Sequence, residues 1–577
     1  MMSRVKAIVL VLVLTCVLAG TVLPELVPTQ ESIGIRLTDV AQAAGVTVLN
    51  VSGEQKKDFL LEVVGNGAAW FDYNNDGLMD LLVVNGATLE HLKTGGDPIA
   101  TLYKNNGDGT FTDVTAKSGL LARGWGMGVC VADYDNNGTE DVYITGFGSS
   151  HLFRNNGDGT FTNVSAAAGA GVTGWSTGCA FGDYDRDGYV DLYVARYVAF
   201  DPEKTPRPSQ GSFCQYMGMD VLCGPRGLRG EPDVLLHNNR NGMFSDVTEQ
   251  AGIHDPGYYG LGVVFSDLDN NGWPDIYVAN DSTPNFLFRN NKDGTFTEIG
   301  LEAGAALSEA GAAQAGMGVD VGDYKHDGNF AIFVTNFSQD YNTLYENGGK
   351  ATFRDVSYPT GLAGPSLPYM GWGTGFVDLA NGGFLDLFVA NGHIYPQIDQ
   401  YALGSKFLER KQLFHNQGDG HFRDVTDEIG GGVLIEKSSR GVAFGDCDND
   451  GDMDILIVNL NDRPTLLRND GGNRKHWVTL RLVGTKSNRD AIGARVRITA
   501  GRLVQTAEVR SGGSFMSNND IRLHFGLGQE TRIQSLEVRW PSGLVEKSED
   551  LRADQFLRIT EGQGILVLDV PKAIPKY

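Results

Sequence analysis

Seven stretches of this chain follow, with two lapses, the pattern D-x-[DN]-x-[DN]-G-x-x-D. Oxygen side chains at positions 1, 3, 5 and 9, with a glycine at 6 that permits a sharp turn, can wrap a hard divalent cation, and a backbone carbonyl near position 7 can complete the shell. Ca²⁺ suits such a set better than Mg²⁺, which prefers small octahedral sites and keeps its water. Five sets are complete: Asp72, Asn74, Asp76 and Asp80; Asp133, Asp135, Asn137 and Asp141; Asp183, Asp185, Asp187 and Asp191; Asp267, Asp269, Asn271 and Asp275; Asp446, Asp448, Asp450 and Asp454. The fifth loop in chain order has Lys325 and Ala331 at ligand positions, and the sixth has Ala380 and Gly382, so these two are expected weak or empty. An EF-hand is excluded. Its twelfth position is a bidentate Glu, whereas here that position is Val83, Ile144, Val194, Val278 or Ile457. Turn preference alone explains Asp, Asn and Gly in one loop. It does not call for acids at positions 1 and 9 together, repeated along the chain.

β-branched residues at position 12 place each loop between two strands, as in FGDYDRDGYVDLYVAR (181–196). A second signature, as in LYKNNGDGTFTDVT (102–115) and LFRNNGDGTFTNVS (152–165), is a hairpin whose NGDG core accepts positive φ. One unit therefore carries four strands, and the predicted fold is all-β: a seven-bladed β-propeller over 35–470 followed by a C-terminal β-sandwich. The seventh unit ends at TLLRN without its fourth strand. An orphan copy, IRLTDVAQAAGV (35–46), is expected to supply it and close the ring. The longest gap between loops holds Pro202, Pro206, Pro208, Cys214 and Cys223, and residues 198–232 are read as an insertion on one face. Cys214 and Cys223 suit a local disulfide, Cys130 and Cys179 are expected as buried small hydrophobes, and Cys447 as a neutral spacer in its loop.

The formal net charge of −24 disfavours nucleic acid and favours cations or basic partners. Arg4 and Lys6 precede an apolar run from Ala7 to Leu18, too short for an ordinary membrane span, and small residues follow at Ala19 and Gly20. This reads as an export signal over 1–20, cleaved or kept as an anchor. The rest of the chain is then secreted, periplasmic or at the cell surface, with no span in the mature chain.

The Asp-loop units resemble the FG-GAP repeats of integrin α-subunits across about 60–470. HWVTLRLVGTKSNRDAIGARVRI, LHFGLG and VRWPSG make 474–562 similar to the ASPIC/UnbV domain; CGPRGLRGEPD (223–233) and ANGHIYP (390–396) fit the same group. The resemblance implies an extracellular calcium-binding propeller with a C-terminal β domain, and no established reaction. Residues Arg474, Lys475, Arg481, Lys486, Arg489, Arg495 and Arg497 make the start of that domain basic. They are read as a solvated face rather than a docking surface. A binding or adhesion protein with a protein or glycan ligand is the favoured reading. The alternative is an extracellular polysaccharide lyase, hydrolase or oxidase with its site in the propeller channel. His393, Tyr395 and Arg440 are the best functional candidates there, although a turn histidine after a strand is the better account of His393.

Overall fold

The apolar runs flanking each Asp loop form the two inner strands of an antiparallel sheet, and the hairpin adds two strands outside them. In the fourth repeat the order is Gly260–Ser266, Asp275–Asn280, Phe286–Asn290, Phe296–Glu298, with Phe265 opposite Ile276 and Tyr277 opposite Leu287. The second strand is buried along its whole length, which explains its continuous apolar sequence. Six four-strand sets run from Ala68 to Asp424. The second and third are joined into one sheet where Thr173–Gly182 pairs with Asp141–Ser149. The last set has Ser439–Gly445, Asp454–Asn459 and Thr465–Asn469. Its fourth strand is Leu37–Asp39, antiparallel to Thr465–Asn469 with Leu37 opposite Asn469. The computed structural model describes residues 33–572 apart from Ser212, so the segment read as an export signal lies outside the described residues.

The first strands pack side by side in sequence order, and Ser439–Gly445 returns to Ala68–Phe71. Glycine makes this approach possible: a Cβ at Gly178 would stand 2.3 Å from the Leu261 carbonyl oxygen, and one at Gly318 2.1 Å from that of Trp372. Apolar layers fill the gaps between sheets, such as Leu82, Leu102, Val131 and Phe153 between the first and second. The Asp loops form a second circuit through position 4. Asn75 donates to the Gly138 carbonyl, Asn136 to that of Gly188, Asn381 to that of Gly451 and Asn449 to that of Gly77. The remaining links are Arg186 on the Trp273 ring, Asn270 to Asn329, and His326 stacked on Phe384. Each loop thus touches the next until the circuit closes.

Cys130 and Cys179 are not the inert small hydrophobes expected from sequence. They form a disulfide between the first strands of the second and third four-strand sets, which the ring sets side by side. Cys214 and Cys223 form the local disulfide.

The C-terminal region is two four-stranded sheets. One orders Leu523–Gly528, His476–Val483, Gln555–Thr560 and Gly564–Leu568, the middle pair parallel; the other orders Leu503–Glu508, Arg495–Ala500, Arg532–Arg539 and Val545–Arg552. Val478, Leu480, Val496, Ile498, Leu536 and Ile559 share one core. The strand Gly564–Leu568 extends past the 562 boundary expected from sequence.

Candidate functional site

The Asp of position 1 folds its own loop. In all seven loops its two carboxylate oxygens accept the backbone N–H groups of positions 5 and 6, as Asp72 does from Asp76 and Gly77, and Asp378 from Gly382 and Gly383. Position 4 is left-handed in every loop, from Asn75 to Asn449, and position 9 reaches across the sheet. Asp80, Asp141, Asp191, Asp275, Asp386 and Asp454 each accept the N–H of the Asn that ends the third strand. This corrects the sequence argument. Acids at 1 and 9 do serve turn and sheet geometry, which is why Asp323, Asp378 and Asp386 persist in the two incomplete loops. Position 3 separates the complete loops from the incomplete ones. Position 5 largely closes the turn: Asp76, Asn137, Asp187, Asn271 and Asp450 each accept the N–H two residues on.

Positions 1, 3 and 9 converge. Asp133, Asp135 and Asp141; Asp183, Asp185 and Asp191; Asp267, Asp269 and Asp275; and Asp446, Asp448 and Asp454 each bring carboxylate oxygens within 4.8 Å of one another. In the first loop position 3 is Asn74, whose Oδ1, like Asp72 Oδ1, accepts the Asp76 N–H. Burial, with neighbouring aspartates adding to it, pushes these acids up: Asp80 to about 9, Asp133 to about 7, Asp183 to about 8 and Asp448 to about 7. Asp80 Oδ2, Asp135 Oδ1 and Asp448 Oδ1 are buried without a hydrogen-bond partner. Converging hard oxygens, raised proton affinity and orphaned buried acceptors fit a divalent cation. In the fifth loop the Lys325 ammonium instead pairs with Glu346 at 3.0 Å. In the sixth, His415 Nδ1 lies 2.9 Å from Asp386 Oδ1, and burial followed by the Asp386 charge pushes Asp378 up to about 7, with Lys475 only partly opposing it.

The tail lies on the Asp-loop face and is not a separate solvated domain. Arg481 bridges Glu140 and Asp490, Arg495 reaches Asp267 and the Gly328 carbonyl, and Arg522 donates to the Asp446 carbonyl. The expectation of a solvated basic face fails for Arg481 and Arg495, while Arg497 is exposed. From this face residues 511–519, SGGSFMSNN, enter the centre of the ring as a finger. Val129 N–H donates to the Met516 carbonyl, Val319 N–H to that of Ser514, Thr374 N–H to Ser514 Oγ, Val131 N–H to Asn518 Oδ1 and Phe444 N–H to Asn519 Oδ1. Phe515 packs on Trp372 with ring centroids 4.8 Å apart. On the other face the hairpin closed by Cys214–Cys223 brings Met219, Val221 and Leu222 into the same buried cluster. The channel expected from sequence is thus filled by the chain itself. Nothing in SGGSFMSNN marked it: the segment has no strand or helix periodicity, and its Gly and Ser read as a turn.

His393, Tyr395 and Arg440 do come together, but as packing. His393 is fully buried; its Nδ1 accepts the Tyr395 N–H, so the ring proton sits on Nε2 and donates to Ser338 Oγ at 3.0 Å. A ring in that tautomer cannot take the serine proton, and burial followed by the Arg440 charge holds its pKa down at about 3. The Arg440 guanidinium lies 4.1 Å from the Trp372 ring centroid and donates to the carbonyls of Val63, Gly392 and Ser439.

The fold and its loops define a class: an all-β repeat protein whose strand-connecting loops gather buried carboxylates, with a C-terminal domain seated on them. The chain belongs to the FG-GAP-like repeat family, matched over 72–144, 133–194, 218–278, 267–334 and 398–457, more than half its length, and 484–566 matches the ASPIC and UnbV domain. Cartilage acidic protein 1 of Xenopus tropicalis is 26% identical over 360 residues, covering 60% of this chain and 50% of that protein. The Homo sapiens protein of the same name is 27% identical over 308 residues, covering 52% and 43%. The chain spans about half the length of these curated relatives. Among solved structures, BBS1N in complex with ARL6DN aligns at 10% identity over 76% of this chain and 97% of that one, with a TM-score of 0.40. An Agrocybe aegerita lectin that recognises non-reducing terminal N-acetylglucosamine aligns at 16% over 69% and 86%, with a TM-score of 0.37. Likenesses this weak say nothing of a ligand.

Proposed function

We propose that the chain is an extracellular, periplasmic or cell-surface calcium-binding protein. In this reading its seven four-strand sets are the blades of a β-propeller and its tail is a β-sandwich, and the whole serves as a rigid scaffold for binding a protein or glycan. The observation that carries the calcium part is the convergence of buried and half-buried carboxylates at positions 1, 3 and 9 in the second, third, fourth and seventh loops. Asp72, Asn74 and Asp80, and the corresponding residues of the second, third, fourth and seventh loops, would hold one Ca²⁺ each, with position 5 nearby. The ion would neutralise acids that otherwise repel. The two disulfides support an oxidising compartment, and among the described residues no helix is long and apolar enough to cross a membrane. The binding reading is preferred to the enzymatic one because the finger fills the channel and His393 is a buried donor.

The test is calcium content and melting across pH. About five calcium ions per chain are expected, and at calcium tenfold above Kd each site should add about 1.4 kcal/mol. Without calcium, Asp133, Asp183 and Asp448 hold protons in the folded state up to about pH 7, 8 and 7, which the unfolded chain releases near its ordinary carboxylate range. The folded state therefore binds more protons in that window, and the chelated protein should lose stability as pH rises from about 5 to 8. Calcium requires the deprotonated acids and should reverse the trend. A Tm indifferent to calcium and chelator at both ends of that window overturns the reading.

A further inference from the structure

Among the five complete loops the third differs in the residue that its neighbouring strand presents to it; the incomplete sixth loop has His415 there, but with Ala380 and Gly382 in place of its position 3 and 5 oxygens. Where the third strand passes each loop, the repeat usually places a permanent cation one residue before the terminal Asn. Lys104 lies 3.3 Å from Asp76 in the first loop, Arg154 lies 2.7 Å from Asp135 in the second, and Arg289 and Arg468 hold the same position in the fourth and seventh. In the third loop this position is His237, whose imidazole is a ligand as well as a base. Its Nδ1 is 3.0 Å from Asp191 Oδ1 and 3.8 Å from Asp185 Oδ2. The ring is held on a strand, Val234–Asn238, with its edge against Tyr184 at a centroid distance of 6.0 Å.

Two ligand groups result, and they share a carboxylate. Asp183, Asp185 and Asp191 form the set common to the complete loops. Asp185, Asp187 and His237 form a second set, with ligand atoms again within 4.8 Å of one another. We propose that Asp185, Asp187 and His237 form a second cation site in the third loop, specific to a borderline divalent ion of the zinc class, with Asp185 bridging to the first site. One neutral imidazole and two carboxylates, with water in a fourth position, suit zinc; an imidazole adds little for calcium, which takes oxygen ligands almost exclusively. The Arg240 guanidinium now sits 2.6 Å from Asp187 Oδ2, but its side chain is 57% exposed and can swing into solvent when an ion replaces it. The site does not need the calcium reading to hold, because its own three ligands suffice.

Elemental analysis of the full chain, stripped with chelator and equilibrated with calcium plus zinc, tests this. His237→Arg is the informative variant, since arginine already stands at this position in Arg154, Arg289 and Arg468, so the strand accepts it. Asp187→Asn is the second. Wild type should retain about one more zinc per chain than either variant, with calcium content equal in wild type and His237→Arg, and zinc affinity should fall at least about tenfold in both. A Co²⁺-loaded wild type should show tetrahedral d–d absorption that His237→Arg lacks. Equal zinc content and affinity in wild type and both variants overturns the site. So does zinc uptake matched by loss of one calcium, which would put zinc in the first set instead. The calcium reading is judged separately, on the calcium content of the same samples.

Discussion

Gly67→Ala should cost far more stability than a single methyl group ordinarily does. A Cβ at Gly67 would stand 1.6 Å from the Met516 carbonyl oxygen and 2.5 Å from its carbon, both backbone atoms that no rotamer change can move. Either the first inner strand shifts against its neighbours or the finger backs out of the ring. Withdrawal breaks a run of bonds: Val129 N–H to Met516 O, Ala68 N–H to Ser517 Oγ, Asn518 N–H to Ala68 O and Trp70 N–H to Asn518 O. It also exposes Phe515 and Met516, each nearly fully buried. Ordinary overpacking costs about 1–3 kcal/mol, and losing this many buried hydrogen bonds adds roughly 1 kcal/mol for each. The loss should therefore exceed about 4 kcal/mol, in the exceptional range for one substitution. Gly364→Ala is the control, since its Cβ would meet nothing within 4 Å, and it should stay within about 0.5 kcal/mol of wild type. Limited proteolysis gives a second readout: in Gly67→Ala, cleavage should appear within 511–519. If Gly67→Ala melts with Gly364→Ala and resists the protease, the finger is not seated as described.

What was legible in the sequence follows from how locally each feature is determined. The Asp loops and NGDG hairpins could be read because their backbones demand particular residues at fixed offsets. Asn75, Asn136 and Asn449 sit left-handed at position 4, and Asp72 caps its own turn five residues long. The closing strand could be read for the same reason, since Leu37–Asp39 copies a pattern that the other hairpins repeat. Features made by distant residues meeting were not legible. Cys130 and Cys179 each look like a core residue, and only the packing of consecutive first strands makes them partners. Had that packing been imposed on the repeat, their near-equivalent places before Asp133 and Asp183 would have revealed the pair. The division of labour within the loop was hidden too, because Asp at position 1 has the same letter whether it serves a turn, a cation or both. The incomplete loops resolve it. Asp323 and Asp378 survive in both incomplete loops and keep their turn bonds, so the turn needs position 1; the sheet pairs with Asp386 at position 9 of the sixth loop and with Ala331 there in the fifth, and it forms without oxygens at position 3.

The same reasoning makes Arg481→Met the sharpest test of how the tail is held. Arg481 Nη2 lies 2.7 Å from Asp490 Oδ1 and 3.3 Å from Glu140 Oε1. The other oxygens of those two carboxylates are occupied by the ring. Asp490 Oδ2 accepts the N–H of Asp133 and Glu140 Oε2 that of Asp72, the first residues of two cation loops. One guanidinium thus joins a tail carboxylate to a ring carboxylate while both anchor loop backbones. Methionine keeps most of the stem's volume and removes the charge, leaving Asp490 and Glu140 buried beside each other; burial already pushes Glu140 up to about 8 with the arginine present. Removing one partner of a buried ionic group costs roughly 3–5 kcal/mol, because the charges left behind are uncompensated. Arg497→Met changes an exposed arginine of the same domain and should change stability by less than about 0.5 kcal/mol. Part of the Arg481→Met loss should return on lowering pH from about 8 to 5, since a carboxylate that has lost its cation gains most from a proton. If Arg481→Met and Arg497→Met melt alike at both pH values, the Arg481 bridge does not hold the tail, and that role falls to Arg495, Arg522 and the finger.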